Sequence, residues 1–326
     1  MIRTSPSSRL LALMLVVCAG VFAASPAAAQ DYPSRLIRIV VANASGTAPD
    51  TVARIMAEEL PKHIGQQVIV ENRPGANMVI GYEYVAKTAP ADGYTMALVY
   101  PTALATLPVT VKELRFDPLK DLPPVIGLGE GRLLIGSASK LPWNTFKDMV
   151  AGAKAAPGKL NYGSPSTAVR FTTEAMTRAL GINITHVPYS AAAAYYQAIA
   201  VGEVDMGFIS EATANTFKDR LRILAVTGQR RLTGFPDAPT FAELGLAQIG
   251  GLSYTLNVAA GTTKAIVDKL HAAGNRALQQ TAVKERFLTL QLEMFSDDSP
   301  AATAKRLADE GRFFADVAQK MGFKPQ

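Results

Sequence analysis

The sequence predicts an α/β fold of two lobes, on three observations. Short runs rich in Val, Ile and Leu alternate with segments whose apolar residues recur at helical spacing, the pattern of parallel sheets with helices on both faces. The chain has 326 residues, more than the roughly 100–200 of a single domain, so two lobes are the default. Neither an internal repeat nor a low-complexity linker interrupts it. The expected crossings between lobes are therefore strands.

The N-terminus reads as an export signal. Arg3 and Arg9 precede Leu10–Ala24, which carries no charge, and Ala27, Ala28 and Ala29 supply small residues before Gln30. This order of basic, apolar and small residues is that of a cleaved secretory leader. The apolar run is shorter than the ~20 residues of a spanning helix. Loss of residues 1–29 would remove Cys18, the only cysteine, so the exported part would be stabilised by its core and not by disulfides. The formal net charge of +6 is thinly spread. No basic run is interleaved with aromatic residues, which argues against a nucleic-acid partner.

Leu36–Ala42 is a β-branched run of strand length. Asn43–Pro49 is a small-residue loop, and Asp50 is the expected cap of a helix in which Val52, Ile55, Met56 and Leu60 share one face. Gln67–Glu71 is the next strand, closed by Arg73-Pro74-Gly75, and Tyr94–Val99 follows Asp92-Gly93. Further on, helices are expected over Thr145–Ala156, from the Gly163–Ser166 loop to Leu180, over Ala191–Val201, Thr263–Gln280 and Val283–Leu290. Strands are expected at Leu160–Tyr162, Thr185–Val187, Met206–Ile209, Arg222–Thr227 and Leu252–Ala259. The last helix places Leu307, Gly311, Phe314, Val317, Ala318 and Met321 on one face. Val125–Ile135 and Gly250–Ala259 are the expected crossings, with Gly127, Gly129 and Gly131 as hinge residues. Two crossings divide the exported chain into residues 30–130 plus 252–326 and residues 131–251.

Catalytic signatures are missing from the linear sequence. None of His63, His186 and His271 has a serine, carboxylate or second histidine at metal or triad spacing. There is no HExxH, no P-loop and no G-x-S-x-G elbow, and the Gly127–Gly131 glycines do not fit a dinucleotide fingerprint. No metal and no cofactor is expected. An exported hydrolase or isomerase using Ser164, Ser166 or Glu211 is one alternative to a binding protein. A sensor subunit reporting to a membrane kinase is another.

Eight stretches, in order, resemble the Bug-type substrate-binding proteins of tripartite tricarboxylate transporters. They are Asp31–Arg35, Glu71–Ala76, Ala91–Thr95, Pro157–Ser164, His186–Tyr189, Gly202–Met206, Leu224–Thr227 and Phe235–Thr240. The resemblance spans essentially the whole exported length. It implies a fold of the periplasmic-binding-protein type II class, two Rossmann-like lobes joined by crossing hinge strands. It also implies a periplasmic monomer that closes on a small carboxylate and hands it to a membrane permease.

Carried over by position, the resemblance implies two anion-holding loops, Asn43–Asp50 and Ser164–Arg170. Each precedes a helix, whose free N–H groups favour an anion. The substrate-binding residues it implies are Asn43, Ala44, Ser45, Gly46 and Asp50, then Ser164, Ser166, Thr167 and Arg170. Tyr100, Thr102, Tyr189, Ser210 and Glu211 are expected to complete the cleft from strand ends. This chain departs from the family in both loops: Ala44–Pro49 replaces a proline and glycine run, and the second loop is shorter and lacks the usual glycines. Ile209 stands where many relatives carry aspartate. Arg170 is expected either to replace the lost backbone donors, because its planar fork matches a carboxylate, or to face solvent or pair with Glu174 four residues on.

Overall fold

The computed structural model describes residues 31–323; the expected leader over residues 1–29 lies outside them. Within the described residues no helix is long and apolar enough to cross a membrane. The first half of the chain runs β1 (Ile37–Val41), α1 (Ala48–Glu59), β2 (Val68–Asn72), β3 (Thr95–Val99), α2 (Pro101–Thr110), β4 (Pro124–Gly131), β5 (Leu133–Ala138) and α3 (Phe146–Ala155). Then follow β6 (Asn161–Ser164), α4 (Thr167–Leu180), β7 (Thr185–Pro188), α5 (Ala192–Val201), β8 (Gly207–Ser210), α6 (Glu211–Thr216) and β9 (Leu221–Val226). The chain closes with β10 (Leu252–Val258), α7 (Lys264–Leu278), α8 (Thr281–Thr289), β11 (Leu292–Glu293) and α9 (Pro300–Met321).

The first sheet has the order β11-β4-β10-β3-β1-β2. β1 is parallel to β2 and β3, as the strand–helix alternation requires. Ile37, Ile39, Val40 and Val41 are buried, because helices cover both faces. α1 and α7 pack on one side, and α2 and α9 on the other. The expectation of purely parallel sheets is corrected here: β10 runs antiparallel to both β3 and β4. A strand that returns from the second lobe enters this sheet in the opposite sense.

The second sheet is built around β5, antiparallel to β8 and β9. β6 and β7 are parallel to each other, and a bridge between Tyr162 and Met206 joins them to β8. Alternation along β5 and β8 sorts the side chains. Ile135 and Phe208 face a cluster with Tyr162, Phe171 and Phe241, while Leu134 and Ile209 face Tyr195 and Ile199. Such period-two sorting fixes the register, since a one-residue slip would invert both faces. Phe314, Val317 and Ala318 of α9 belong to the same cluster as Phe171 and Ala175, so the last helix packs on both sheets.

One expectation about the crossing changes. Val125–Ile135 is not one continuous strand: it breaks at Arg132, with β4 in the first sheet and β5 in the second. None of Gly127, Gly129 and Gly131 lies at positive φ. They permit close approach. A Cβ at Gly127 would sit 2.9 Å from Phe295 and one at Gly129 would sit 2.8 Å from the carbonyl oxygen of Glu293. Asp50 is likewise not the helix cap. Thr47 holds the cap position and Asp50 lies within the first turn.

Candidate functional site

Strand direction brings the two candidate edges together. β3 and β10 are antiparallel, and so are β10 and β4, so β4 runs parallel to β1 and β3 and ends at the same edge. From that edge the chain passes through Arg132 into β5. Leu133, the first residue of β5, pairs with Ser210, the last of β8. The carboxyl ends of β1, β3 and β4 therefore meet those of β6 and β8 across the crossing. Ligands bind at the carboxyl ends of the strands in α/β sheets.

The first loop folds around Asp50, which is 2% exposed. Its carboxylate accepts from the Gly46 N–H at 2.9 Å, from Arg54 Nε at 2.9 Å and from Asn72 Nδ2 at 2.9 Å. Ser45 Oγ lies 3.4 Å away, and Asn72 also donates to the Asn43 carbonyl at 3.0 Å. Burial alone would raise the Asp50 pKa, but the bonds from Arg54, Gly46 and Asn72 outweigh it and hold the group at about 2. Asn43, Ser45, Gly46 and Asp50 are thus brought together, with Ala44 between them. Asp50 organises the loop, and Arg54 offsets its charge. Sequence reading missed Arg54 and Asn72, although the i, i+4 spacing of Asp50 and Arg54 is a visible signal.

At the end of β3, Tyr100 is fixed from two sides. Its N–H donates to the Tyr82 hydroxyl at 3.1 Å, and its own hydroxyl lies 3.1 Å from that of Tyr254. Burial raises the pKa of the Tyr100 hydroxyl, and Tyr254 adds to the effect. Thr102 donates to the carboxylate of Glu310 on α9. The two line a cavity of about 390 Å³ with Glu130, Ser253, Thr255 and Arg306. Burial raises the Glu310 carboxyl to about 7, against the bond from Thr102, and nearby Glu130 adds to the rise.

The second loop contains a hydrogen-bonded cluster. Ser164 Oγ lies 2.7 Å from His186 Nε2. In the parallel register Tyr162 is opposite His186, so Ser164 is its diagonal neighbour on the same face. The Tyr189 N–H donates to the Ser164 carbonyl at 3.0 Å, but its hydroxyl turns to Glu203. Ser166 caps α4 by accepting from the Val169 N–H, and Thr167 is the first helical residue. Arg170 follows one turn on and is neither turned out to solvent nor paired with Glu174. Its guanidinium stands 5.5 Å from the Phe323 ring, and its Nε is buried without a partner. Glu174 instead accepts from the Tyr162 hydroxyl at 2.6 Å. Burial lowers the His186 pKa, and the charge of Arg170 lowers it further.

Ser210, at the end of β8, caps α6 by accepting from the Thr213 N–H at 3.2 Å. Glu211 is 8% exposed, and its Oε2 has no hydrogen-bond partner. Burial raises its pKa, which the neighbouring Arg132 partly offsets. Arg132 was not anticipated from the sequence, because its importance follows from the break between β4 and β5.

Each of the three histidines has a side-chain partner in the structure. His63 bonds Glu59 at 3.1 Å and His271 bonds Asp298 at 3.2 Å, besides the Ser164–His186 pair. Linear spacing concealed the Ser164–His186 and His271–Asp298 pairs, while the i, i+4 spacing of Glu59 and His63 was open to view.

Comparison with known proteins agrees with this architecture. Residues 52–322 match the model of the tripartite tricarboxylate transporter family receptor. The chain is 35% identical over 278 residues to a Cupriavidus necator protein described as a UPF0065 protein in the gbd 5' region, covering 84% of each chain. An R. palustris protein solved with adipate superposes with a TM-score of 0.73 at 28% identity, over 91% of this chain and 100% of that one. MatC from Rhodopseudomonas palustris, solved with bound malate, gives 0.70 at 28% identity over 88% and 100%. The chain belongs to the tripartite tricarboxylate transporter receptor family.

Proposed function

We propose that this receptor acts in the periplasm, captures a small carboxylate between its two lobes and delivers it to a membrane permease. The observation that carries this reading is the meeting of the two strand-end edges, each opening into a loop that leads to a helix start. At the first edge Asp50 is already compensated by Arg54 and Asn72, so it does not repel an anion. At the second, Arg170 retains a buried N–H without a partner beside the α4 N-terminus. Two structural relatives hold adipate and malate, both small carboxylates. Residues 35–130 with the sheet strands of 252–293 form one lobe in this reading, and residues 133–251 the other. A thermal-shift panel of aliphatic and aromatic acids tests it. A true ligand at ~100 times its dissociation constant adds about 2.7 kcal/mol, whereas a flat response to all acids would contradict it.

One distance favours a second reading. Ser164 Oγ and His186 Nε2 are 2.7 Å apart, the geometry of a nucleophile and its base. Among the described residues no carboxylate hydrogen-bonds His186, and Ser164 is 4% exposed, so the pair has neither an orienting acid nor an open nucleophile. Ester or amide turnover that disappears in Ser164→Ala would favour catalysis over capture.

A further inference from the structure

Among the described residues, two buried side-chain polar atoms have no hydrogen-bond partner: Arg170 Nε and Glu211 Oε2. They share the carboxyl-end edge of the second sheet. Arg170 follows β6 through the start of α4, Glu211 directly follows β8, and β6 and β8 are parallel neighbours. One atom is a cationic donor and the other an anionic acceptor.

Among the described residues Glu211 Oε2 accepts no hydrogen bond. Arg132 stands next to it because Leu133 pairs with Ser210. Its Nη1 already donates to the carbonyls of Thr227 and Arg230, and its Nη2 to Glu293. The Thr213 N–H is taken by the Ser210 hydroxyl. The covering segment presents Gly234, whose Cβ position lies 3.4 Å from Oε1 and which has no side chain to offer. A buried carboxylate oxygen left without a donor is costly. Such a group is retained where something outside the chain completes it.

We infer that Glu211 receives a hydrogen-bond donor of the ligand, so that the captured carboxylate carries a hydroxyl or an ammonium group on its carbon chain. This rests on the carboxylate reading above and adds to it the polarity of the rest of the ligand. The acid end meets the first loop and Arg170, and the donor group meets Glu211. A site built to hydrogen-bond a donor rejects the analogue lacking it far more strongly than an apolar pocket rejects an extra methylene.

The test is calorimetric titration with matched acids that differ in one group. One set is succinate, malate and aspartate; the other is adipate, 2-hydroxyadipate and 2-aminoadipate. Wild-type protein should bind the hydroxy or the amino acid of at least one set at least tenfold more tightly than its unsubstituted parent, and the tighter of the two identifies the donor. Glu211→Gln should collapse that preference to within about twofold. Glu211→Asp, with unfolding curves recorded for both variants, serves as a second probe: a shortened carboxylate should retain part of the preference. Equal affinities within each set, meaning that only water or a proton completes Oε2, would overturn the inference while the carboxylate reading stands. A preference that survives Glu211→Gln would overturn it as well. Failure of every acid in both sets to bind would defeat the inference together with the reading on which it rests.

Discussion

Arg132 and Glu293 form an ion pair at the corner where the chain leaves the first sheet for the second. The Arg132 side chain is only 8% exposed. It also donates to the carbonyls of Thr227 and Arg230, on the segment leading back toward β10, and Arg230 in turn reaches Glu293. One guanidinium thus ties both crossings to β11. Glu293→Gln would leave this buried cation short of its counter-charge. Glu293 is itself 40% exposed, which reduces the effect from that of a fully buried pair. A loss of roughly 1–2 kcal/mol in urea unfolding is expected, and an unchanged midpoint would contradict the role assigned to the pair.

Lobe closure is expected about the two crossings that meet at this corner. Saturation with a bound acid is expected to reduce the radius of gyration measured by X-ray scattering. The packing of Phe314, Val317 and Ala318 against Phe171 and Ala175 requires the end of α9 to travel with the second sheet. Scattering curves that superpose with and without ligand would count against closure.

The Glu310 carboxyl gives the protein a pH signature. Burial holds its folded pKa near 7, above the ordinary value of 4.5. A raised folded pKa means that the unfolded chain releases this proton first. Its stabilising contribution is therefore complete below about pH 4.5, declines as pH rises, and is gone above about 7. Glu310→Gln keeps the acceptor for Thr102 without the charge. It should be more stable than wild type at pH 8 by about 2–3 kcal/mol, and the advantage should vanish near pH 4.5. Equal stability of the two proteins at pH 8 would refute this.

Close packing at the strand glycines has a direct test. Gly129→Ala would bring a methyl group to 2.8 Å from the Glu293 carbonyl, a backbone atom that cannot swing aside. Destabilisation of about 1–3 kcal/mol is expected by overpacking. A neutral result would contradict the close-packing role.

Much of the fold was legible because its signals are local. The run Leu36–Ala42, the small-residue loop and the helical spacing of Val52, Ile55 and Met56 identify the first strand, loop and helix without tertiary information. Thr145 and Asp148 announce the start of α3, where both halves of a capping box are present. α2 was not anticipated. It begins at Pro101, contains Pro108 and is buried along most of its length, so it lacks the polar face that reveals a helix in sequence. The break at Arg132 was hidden for a different reason: two apolar strands separated by one residue read as one. In the site, the small-residue loops were visible, but the roles of Asp50, His186 and Arg132 depend on partners supplied by other strands. Ser164 and His186 are joined by a parallel register that no linear spacing encodes.

The most direct test of the central claim is calorimetric titration of the protein and its Arg170→Ala variant with the tightest acid from the thermal-shift panel. One acid should bind at a single site in wild type. Removal of one partner of a desolvated charge pair costs about 2 kcal/mol or more, so the variant should bind roughly thirtyfold more weakly with its fold intact. Equal affinity in the two proteins, or no heat from any carboxylate in either, would contradict the account.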